Sequence, residues 1–266
     1  VGGTNNGSTT SDRTNYFEQV PSNQLETALW LESDRMGWLL DLVTQKSLDN
    51  QREVVRNERR QSVENQPYGI VEEAVFHELF PKGHPYYASV IGSHADIQAA
   101  KLEDVQNFFK LYYAPNNASL VVAGDIDLSR TQALVQKWFG GIPGGPPVTP
   151  IVAPPAGLTT VKRKTMTDRV RLPRLYLAWL TPKVLAPGDA ALDVAASVLA
   201  GGKNSRLYKR LVYDAQIAQD VSAYQASAAL GSSFQIVATA RPGHDAAEIQ
   251  RAIDEEIERL KREPPD

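Results

Sequence analysis

The sequence predicts an α+β fold, with strands and helices mixed along the whole chain and grouped into two domains. Segments in which apolar residues alternate are interleaved with segments of helical spacing, in both halves of the chain. A proline- and glycine-rich run separates the two halves. The length of 266 residues suits two domains of ordinary size. These observations predict two layered domains, each a sheet backed by helices.

The N-terminal half begins with polar, strand-favouring residues and continues mostly in helices. Apolar residues recur three and four positions apart over long stretches, which is the spacing of an amphipathic helix. A continuous apolar run before a Gly-Asp pair predicts a buried strand instead. In chain order the sequence predicts one or two strands within 7–21, helices over 24–43, 47–65, 71–80 and 102–112, a strand over 118–123, and a helix over 129–139.

Residues 140–157 contain six of the 17 prolines and cannot continue a helix or a central strand. We therefore predict domains over 1–140 and 158–266, joined by a linker over 141–157. Beyond the linker the order of elements resumes: a strand over 174–182, a helix over 190–200 capped by Asp189, a helix over 206–214 capped by Ser205, a strand over 232–242, and a helix over 246–262.

Composition and charge exclude several classes of function. Hydrophobic content of 42% and charged content of 22% are typical of a globular protein. The net charge of -3 gives no field that would recruit nucleic acid or an anionic membrane, and no apolar run is long enough to span a bilayer. The absence of cysteine excludes disulfides and thiolate chemistry and is compatible with any redox compartment.

Glu58 is the one acid of the predicted helix 47–65 with no basic residue three or four positions away. Its neighbours at that spacing are Val54, Val55, Gln61 and Ser62, whereas Arg56 can pair with Glu53 and Arg60 with Glu64. A carboxylate on a half-apolar face needs a partner from outside its helix. Taken alone, the pattern is compatible with a tertiary ion pair, with simple exposure, or with a metal.

The other candidate motifs are incomplete. No two of the four histidines are spaced as ligands on one helix, so we interpret each as a surface or loop residue. The run Gly201–Ser205, "GGKNS", lacks the first glycine of a phosphate-binding loop, and we interpret it as a helix break followed by a cap. No serine occupies the strand-turn-helix setting of a nucleophile.

Read together, six stretches in order resemble the pitrilysin/insulinase-type (M16) zinc metallopeptidases, a family that includes the mitochondrial processing peptidases. These are "NNGSTTSDRTNYFEQVP", "LESDRMGWL", "QREVVRNERRQSVENQPYG", "HPYYASVIGS", "LEDVQNFFKLYYAPNNASLVVAGDID" and "GGKNSRLYKRLVYDAQIAQDVSAY". The resemblance implies two related domains, each an antiparallel-rich sheet backed by helices, with both domains incomplete in this chain.

In this family two histidines and a general-base glutamate come from a His-x-x-Glu-His helix, and a downstream glutamate completes the zinc shell. That glutamate matches Glu58, and by the family's spacing the His-x-x-Glu-His motif falls before Val1. Two imidazoles and one carboxylate leave zinc an open position for water. The resemblance also implies that an extended peptide substrate adds to a sheet edge at Asn6, Gly7 and Ser8.

The sequence departs from the family at three positions. A glutamate that the family often has seven residues before the metal ligand is Gln51, and an arginine and a tyrosine that contact substrate are Val212 and Gln219. We therefore expect the zinc-bearing half of an endopeptidase that cleaves peptides in a closed chamber. The arginine and tyrosine would come from a related subunit, a C-terminal half or a second copy. Alone, this chain is expected to be inactive.

Two other functions compete with this expectation. The first is a non-catalytic family member that serves as a scaffolding or partner subunit, which the loss of the arginine and tyrosine favours. The second is an unrelated α+β protein that binds a small molecule. We also expect no nucleic-acid partner and no membrane span in this segment, and an exported location in a bacterium.

Overall fold

The computed structural model describes residues 1–264, and its contacts divide the chain into two compact units. The first unit combines Val1–Ser62 with Val90–Val152, and the second combines Val63–Ser89 with the chain from Ala153 onward. The chain passes from one unit to the other within the predicted linker, and 141–157 carries no helix or strand. That 1–140 and 158–266 are homologous domains stays a prediction.

The first unit consists of a two-stranded antiparallel hairpin and five helices. Strand β1 pairs with β2 along its whole length, from Thr4 opposite Gln19 to Thr9 opposite Thr14. Its elements are β1 (Thr4–Thr9), β2 (Thr14–Gln19), α1 (Leu25–Leu42), α2 (Gln45–Arg59), α4 (His94–Ala99), α5 (Leu102–Tyr112) and α6 (Leu128–Phe139). Helix α3 (Val71–Leu79) lies between α2 and α4 in the sequence and belongs to the second unit.

Side-chain caps set where two helices of the first unit, α2 and α6, begin. Thr44 and Ser47 form a reciprocal capping box at the start of α2, and Asp127 accepts from the Arg130 N–H at 2.7 Å at the start of α6. Helix α1 packs against α6, where Lys137 Nζ lies 2.6 Å from Glu26 Oε1. These caps occupy backbone N–H groups that have no partner within the helix.

The strand predicted over 118–123 is wrong. The structure assigns no strand there, and Val121 is 83% exposed. A strand forms only where its backbone N–H and C=O groups pair with a neighbour, and no strand of residues 1–264 pairs with this segment. The apolar run gives the segment a strand-like composition without supplying that partner.

The second unit is a three-stranded antiparallel sheet covered by helices. The strand order is β3-β5-β4, so β5 bonds to a neighbour on each side and is buried along nearly its whole length. Its elements are α3 (Val71–Leu79), β3 (Arg174–Thr181), α7 (Asp189–Ala200), β4 (Ala218–Ala226), β5 (Ser232–Ala240) and α8 (Ala246–Arg262).

Every second residue of β5 contributes to the main hydrophobic core on one face of this sheet. Ile236 and Ala238 are fully buried against the helices, together with Ile249 and Ile253 of α8. A smaller cluster of Leu79, Phe80 and Tyr86 packs with partly buried residues of β3. Helix α8 has the bounds that the sequence predicts, because its apolar residues recur at helical spacing over one buried face.

The two helix caps predicted in the second half are wrong. Gly188 is the N-cap of α7, and the Asp189 carboxylate instead accepts from Ser227 Oγ at 2.7 Å and Gln225 Nε2 at 3.0 Å. These hydrogen bonds, with the Ser227 bond largest, lower the pKa of Asp189. The Ser205 hydroxyl donates to Gly202 O at 2.6 Å and accepts no helix N–H. Part of the following helix, Tyr208–Asp214, is π-helical.

The α+β class with antiparallel sheets backed by helices is confirmed. In the part of the chain that the structure describes, no helix has the length and apolar character needed to cross a membrane.

A buried histidine gives the second unit a pH dependence. His84 is 3% exposed, its Nδ1 accepts from the Tyr86 N–H at 3.0 Å, and its ring stacks on Phe80. Burial, followed by the nearby Lys183 charge, lowers the pKa of His84 below its ordinary value of 6.5. Below that pH the unfolded chain takes up a proton that the folded chain resists, so folding stability falls as the pH falls.

We expect His84→Asn to flatten this dependence, since asparagine offers an oxygen to the Tyr86 N–H and does not titrate. Urea unfolding at about pH 7.5 and 5.5 should show a smaller loss of stability in the variant than in the wild type. His77→Asn is the control, because the His77 ring is only partly buried and stacks on Tyr87. Equal losses in all three proteins would contradict the assignment.

Candidate functional site

The Glu58 carboxylate is exposed and has no ion pair or hydrogen bond to any other residue within 1–264. It lies in the last turn of α2, beside Val54, which is 48% exposed. The tertiary ion pair that the sequence left open is therefore not formed within the described chain. The arrangement fits a ligand that awaits a partner, because a carboxylate on an exposed, half-apolar face is free to meet a cation.

Helix α2 is held by a row of arginines on a different face from Glu58. At positions 52, 56 and 59 they reach the segment around α4 through polar contacts. Arg59 is 7% exposed and donates to Gly92 O at 2.8 Å, Arg56 donates to Gln98 Oε1 at 3.0 Å, and Arg52 donates to Ala100 O. The expected pair of Arg56 with Glu53 is confirmed at 2.7 Å.

Sequence reasoning missed the role of this row. The arginines recur four and three residues apart, which places them on one helix face, and that spacing was the available signal. Instead of the expected pair with Glu64, the structure gives Arg60 a hydrogen bond to Asn57 Oδ1 at 2.6 Å.

Two residues after Glu58 the helix widens into a π-helical turn, Arg60–Glu64. The Ser62 hydroxyl donates to the Glu58 carbonyl at 2.7 Å across this turn. Such turns are uncommon and occur often at functional sites. The predicted helix over 47–65 is thus found over 45–64, and the prediction misses this local change of winding.

The histidines of this chain are engaged elsewhere. His77 stacks on Tyr87 with ring centres 4.1 Å apart, His84 is buried, and His244 Nδ1 lies 2.8 Å from Glu248 Oε2. Within residues 1–264 no group of three or more histidine, aspartate or glutamate side chains is placed to hold a metal ion. A metal ion at Glu58 would therefore need its other ligands from outside the described residues.

Asn6, Gly7 and Ser8 lie in β1, whose only partner in the described chain is β2. The Thr10 N–H donates to Arg13 O at 2.8 Å, and hydrogen-bonded pairs recur at every second residue of an antiparallel ladder. Asn6 and Ser8 thus bond to β2, whereas the N–H and C=O of Gly7 point to the open edge. The Gly7 N–H is bonded at 2.8 Å to the Asn6 side chain.

Behind this hairpin lies a charged cluster that sequence reasoning did not find. Arg35 pairs with Glu32 and lies 3.6 Å from the centre of the Tyr16 ring, and Tyr16 Oη is 3.2 Å from Tyr113 Oη. Burial, then a hydrogen bond with Glu32, raises the pKa of Glu18 to about 7. Burial first, and then Tyr113, raises the pKa of Tyr16 to about 12. Tyr16 lies opposite Gly7 in the register of β1 and β2, so the cluster includes the cross-strand neighbour of Gly7.

The positions that we expect to match the family's arginine and tyrosine lie in the second unit. Val212 is buried in the core, and Gln219 is exposed at the register shift of β4. Gln51 is exposed on α2. None of these side chains supplies the positive charge or phenol that stabilises an oxyanion.

A cavity of about 760 Å³ opens beside Gly201–Ser205. Three arginines of its lining are paired: Arg210 with Glu255 at 3.0 Å, Arg259 with Glu263 at 2.7 Å and Arg206 with Glu256 at 3.9 Å. Lys203 and Lys209 line it as well.

The exposure of Glu58 predicts that its charge contributes little to folding. Glu58→Gln should change the free energy of unfolding by less than about 0.5 kcal/mol, as for other surface substitutions. Arg59→Met, which removes the donor to Gly92 O, should cost about 1–3 kcal/mol. Urea unfolding of both variants measures this. A loss of more than about 1 kcal/mol in Glu58→Gln would instead indicate a structural ion pair.

Comparisons with known proteins show the family to which this chain is related. Residues 99–266 match the family described as the peptidase M16 inactive domain. The chain is 31% identical over 267 aligned residues to the zinc protease PqqE of Helicobacter pylori, covering 98% of this chain and 59% of that protein. The chain thus spans well under two thirds of that relative's length.

Two solved structures show the same fold. The crystal structure of a protease from Helicobacter pylori aligns with a TM-score of 0.87 and 28% identity, covering 100% of this chain and 64% of that one. The periplasmic protease PqqL from Escherichia coli aligns with a TM-score of 0.64 and 16% identity, covering 97% and 31%. At that identity the second likeness concerns the fold alone. The family match covers more than half of the chain, and the chain therefore belongs to the peptidase M16 family of pitrilysin/insulinase-type peptidases.

Proposed function

We propose that this chain is part of a zinc-dependent endopeptidase and supplies the third zinc ligand, Glu58. The observation that carries the proposal is the Glu58 carboxylate, which is exposed and without a partner in residues 1–264 at the family's ligand position. The name zinc protease of the Helicobacter pylori relative supports it. The two histidine ligands and the general-base glutamate would come from a segment N-terminal to Val1.

When bound, the zinc ion would lower the pKa of a water molecule and polarise the scissile carbonyl. The contribution of this chain is to hold a negative oxygen ligand in place through α2, whose arginines bond to Gly92 O and Gln98 Oε1. Because these contacts lie on another face of the helix, the Glu58 carboxylate stays free for the metal.

The open edge of β1 is proposed to bind the substrate backbone. An extended peptide would add as a strand and form hydrogen bonds with the N–H and C=O of Gly7, displacing the Asn6 side chain from the N–H. Main-chain pairing of this kind selects for an extended conformation more than for particular side chains. Asn6 and Ser8, whose backbone groups bond to β2, would hold the strand in place on either side of Gly7.

Val212 and Gln219 leave this chain without its own substrate arginine and tyrosine. We propose that a related subunit, a C-terminal half or a second copy supplies them, within a closed chamber. An exported bacterial location belongs to the same proposal and is supported by the periplasmic description of one protein of this fold.

The second candidate function is a non-catalytic partner subunit. It is favoured by the match of residues 99–266 to the inactive domain of the family. Under this function Glu58 would be an ordinary surface acid, and the full-length protein would contain no zinc.

Zinc analysis of the full-length protein distinguishes the two functions. We expect about one zinc per chain in the wild type and a large loss in Glu58→Gln, because one of three protein ligands is removed. Glu53→Gln is the matched control, since Glu53 lies on the same helix and pairs with Arg56. Zinc content unchanged in Glu58→Gln would refute the ligand assignment, and none in the wild type would favour the partner subunit.

The role of the open edge is tested by Gly7→Pro in the full-length protein. Proline removes the outward N–H, and we expect kcat/KM for an extended fluorogenic peptide to fall about fivefold or more, with zinc content unchanged. Gly7→Ala is the matched control: it keeps the N–H, and its Cβ meets Tyr16 Cδ1 at 3.2 Å, as the proline Cβ would. Equal losses in both variants would assign the effect to crowding against Tyr16.

A further inference from the structure

Asn6 and Gly7 form the one asparagine–glycine pair of the sequence, and they lie in the middle of β1. Both residues are exposed to solvent. The side-chain amide of an asparagine can react with the backbone nitrogen of the next residue, which is one reason why asparagine is thermolabile. A following glycine favours the reaction, because it has no Cβ to obstruct the close approach of its backbone.

The conformation of β1 brings the two reacting groups together. The Gly7 N–H donates to Asn6 Oδ1 at 2.8 Å. Because a C=O bond is about 1.2 Å long, the Gly7 nitrogen lies within about 4 Å of Asn6 Cγ. The side-chain amide of Asn6 is thus turned toward the nitrogen that can attack its carbon.

The hairpin leaves this nitrogen outside the ladder. Gly7 stands opposite Tyr16 at a position where neither N–H bonds to the other strand, and no third strand of residues 1–264 pairs with β1. No interstrand hydrogen bond to the Gly7 N–H therefore has to break before the nitrogen attacks. Packing also favours glycine at this position, since a Cβ on Gly7 would meet Tyr16 Cδ1 at 3.2 Å.

We propose that Asn6 is a site of spontaneous deamidation, and that the product disables the open edge of β1. The Gly7 nitrogen loses its proton to hydroxide and forms a bond with Asn6 Cγ, and the bond from Cγ to Nδ2 breaks as ammonia leaves. Water then opens the cyclic imide at Cγ, which gives aspartate, or at the backbone carbonyl carbon, which gives isoaspartate. Overall, water is consumed and ammonia is released, and no oxidant or reductant takes part.

The effect on the edge rests on the proposed function, in which β1 binds the substrate backbone. Isoaspartate adds a carbon atom to the backbone at position 6. The alternation of inward and outward groups along a strand depends on a constant repeat of backbone atoms, so the extra atom turns the Gly7 N–H away from the edge. The peptide then loses the main-chain hydrogen bonds that a strand at this edge would form.

Deamidation is measured by peptide mapping with mass spectrometry after the full-length protein is incubated in mildly alkaline buffer. We expect Asn6 to react about tenfold or more faster than Asn15, because only Asn6 precedes a glycine. Asn15 is the matched internal control. It is exposed in β2 of the same hairpin, and the N–H that follows it, that of Tyr16, also lies outside the ladder. Equal rates at the two asparagines would overturn the deamidation site.

The effect on the edge is measured as kcat/KM for an extended fluorogenic peptide, with each protein compared to its own fresh sample. Incubated wild type should lose activity in proportion to its isoaspartate content, about fivefold at complete conversion, with zinc content unchanged. Asn6→Gln should keep its initial value, because ring closure by the longer side chain is slow. Equal losses in both proteins, or full activity of the isoaspartate form, would overturn the role at the edge.

Failure of the proposed function gives a different result. Fresh wild type without zinc and without peptidase activity would refute that function and, with it, the role of the modification at the edge. The deamidation of Asn6 is decided separately, because mass spectrometry detects it without any activity.

Discussion

The candidate site depends on how α2 is held. An amphipathic helix usually buries an apolar stripe, and that stripe then determines which face is open. Here the long side chains of Arg52, Arg56 and Arg59 bond to the segment around α4, and Arg59 is buried in doing so. Because polar contacts on one face orient the helix, Glu58 can remain exposed with two valines beside it. The Glu58 carboxylate therefore stays accessible to solvent at little cost in folding free energy.

The two units differ in how the backbone N–H and C=O groups of their strands are hydrogen bonded. In the second unit β5 bonds to a strand on each side, and helices cover the sheet, so its core is buried from both faces. In the first unit the hairpin β1–β2 has an open edge and the apolar run 118–123 has no strand partner in the described chain. Open edges bind other strands readily, and β3 and β4 of the second unit are edge strands as well; the edge that we propose for a peptide is that of β1.

Much of the fold could be predicted because it follows local rules. Helix α8 has the predicted bounds since its isoleucines recur at helical spacing over one buried face. The predicted helix caps at Asp189 and Ser205 were wrong because both side chains form hydrogen bonds with groups other than helix N–H groups. The cluster of Tyr16, Glu18, Glu32, Arg35 and Tyr113 was missed because it joins residues nearly a hundred positions apart, and no local pattern reports such contacts.

The sequence by itself determined the family, the α+β class and the identity of Glu58 as an acid without a partner on its own helix. These depend on residue order and on spacings of three and four, which are visible in one dimension. Only the tertiary structure decided that Glu58 finds no partner elsewhere in residues 1–264, and that Gly7 rather than its neighbours faces the open edge. Such outcomes depend on which groups meet in space, and the contacts of Tyr68 with Asp168 and Leu172 cross about a hundred residues of chain.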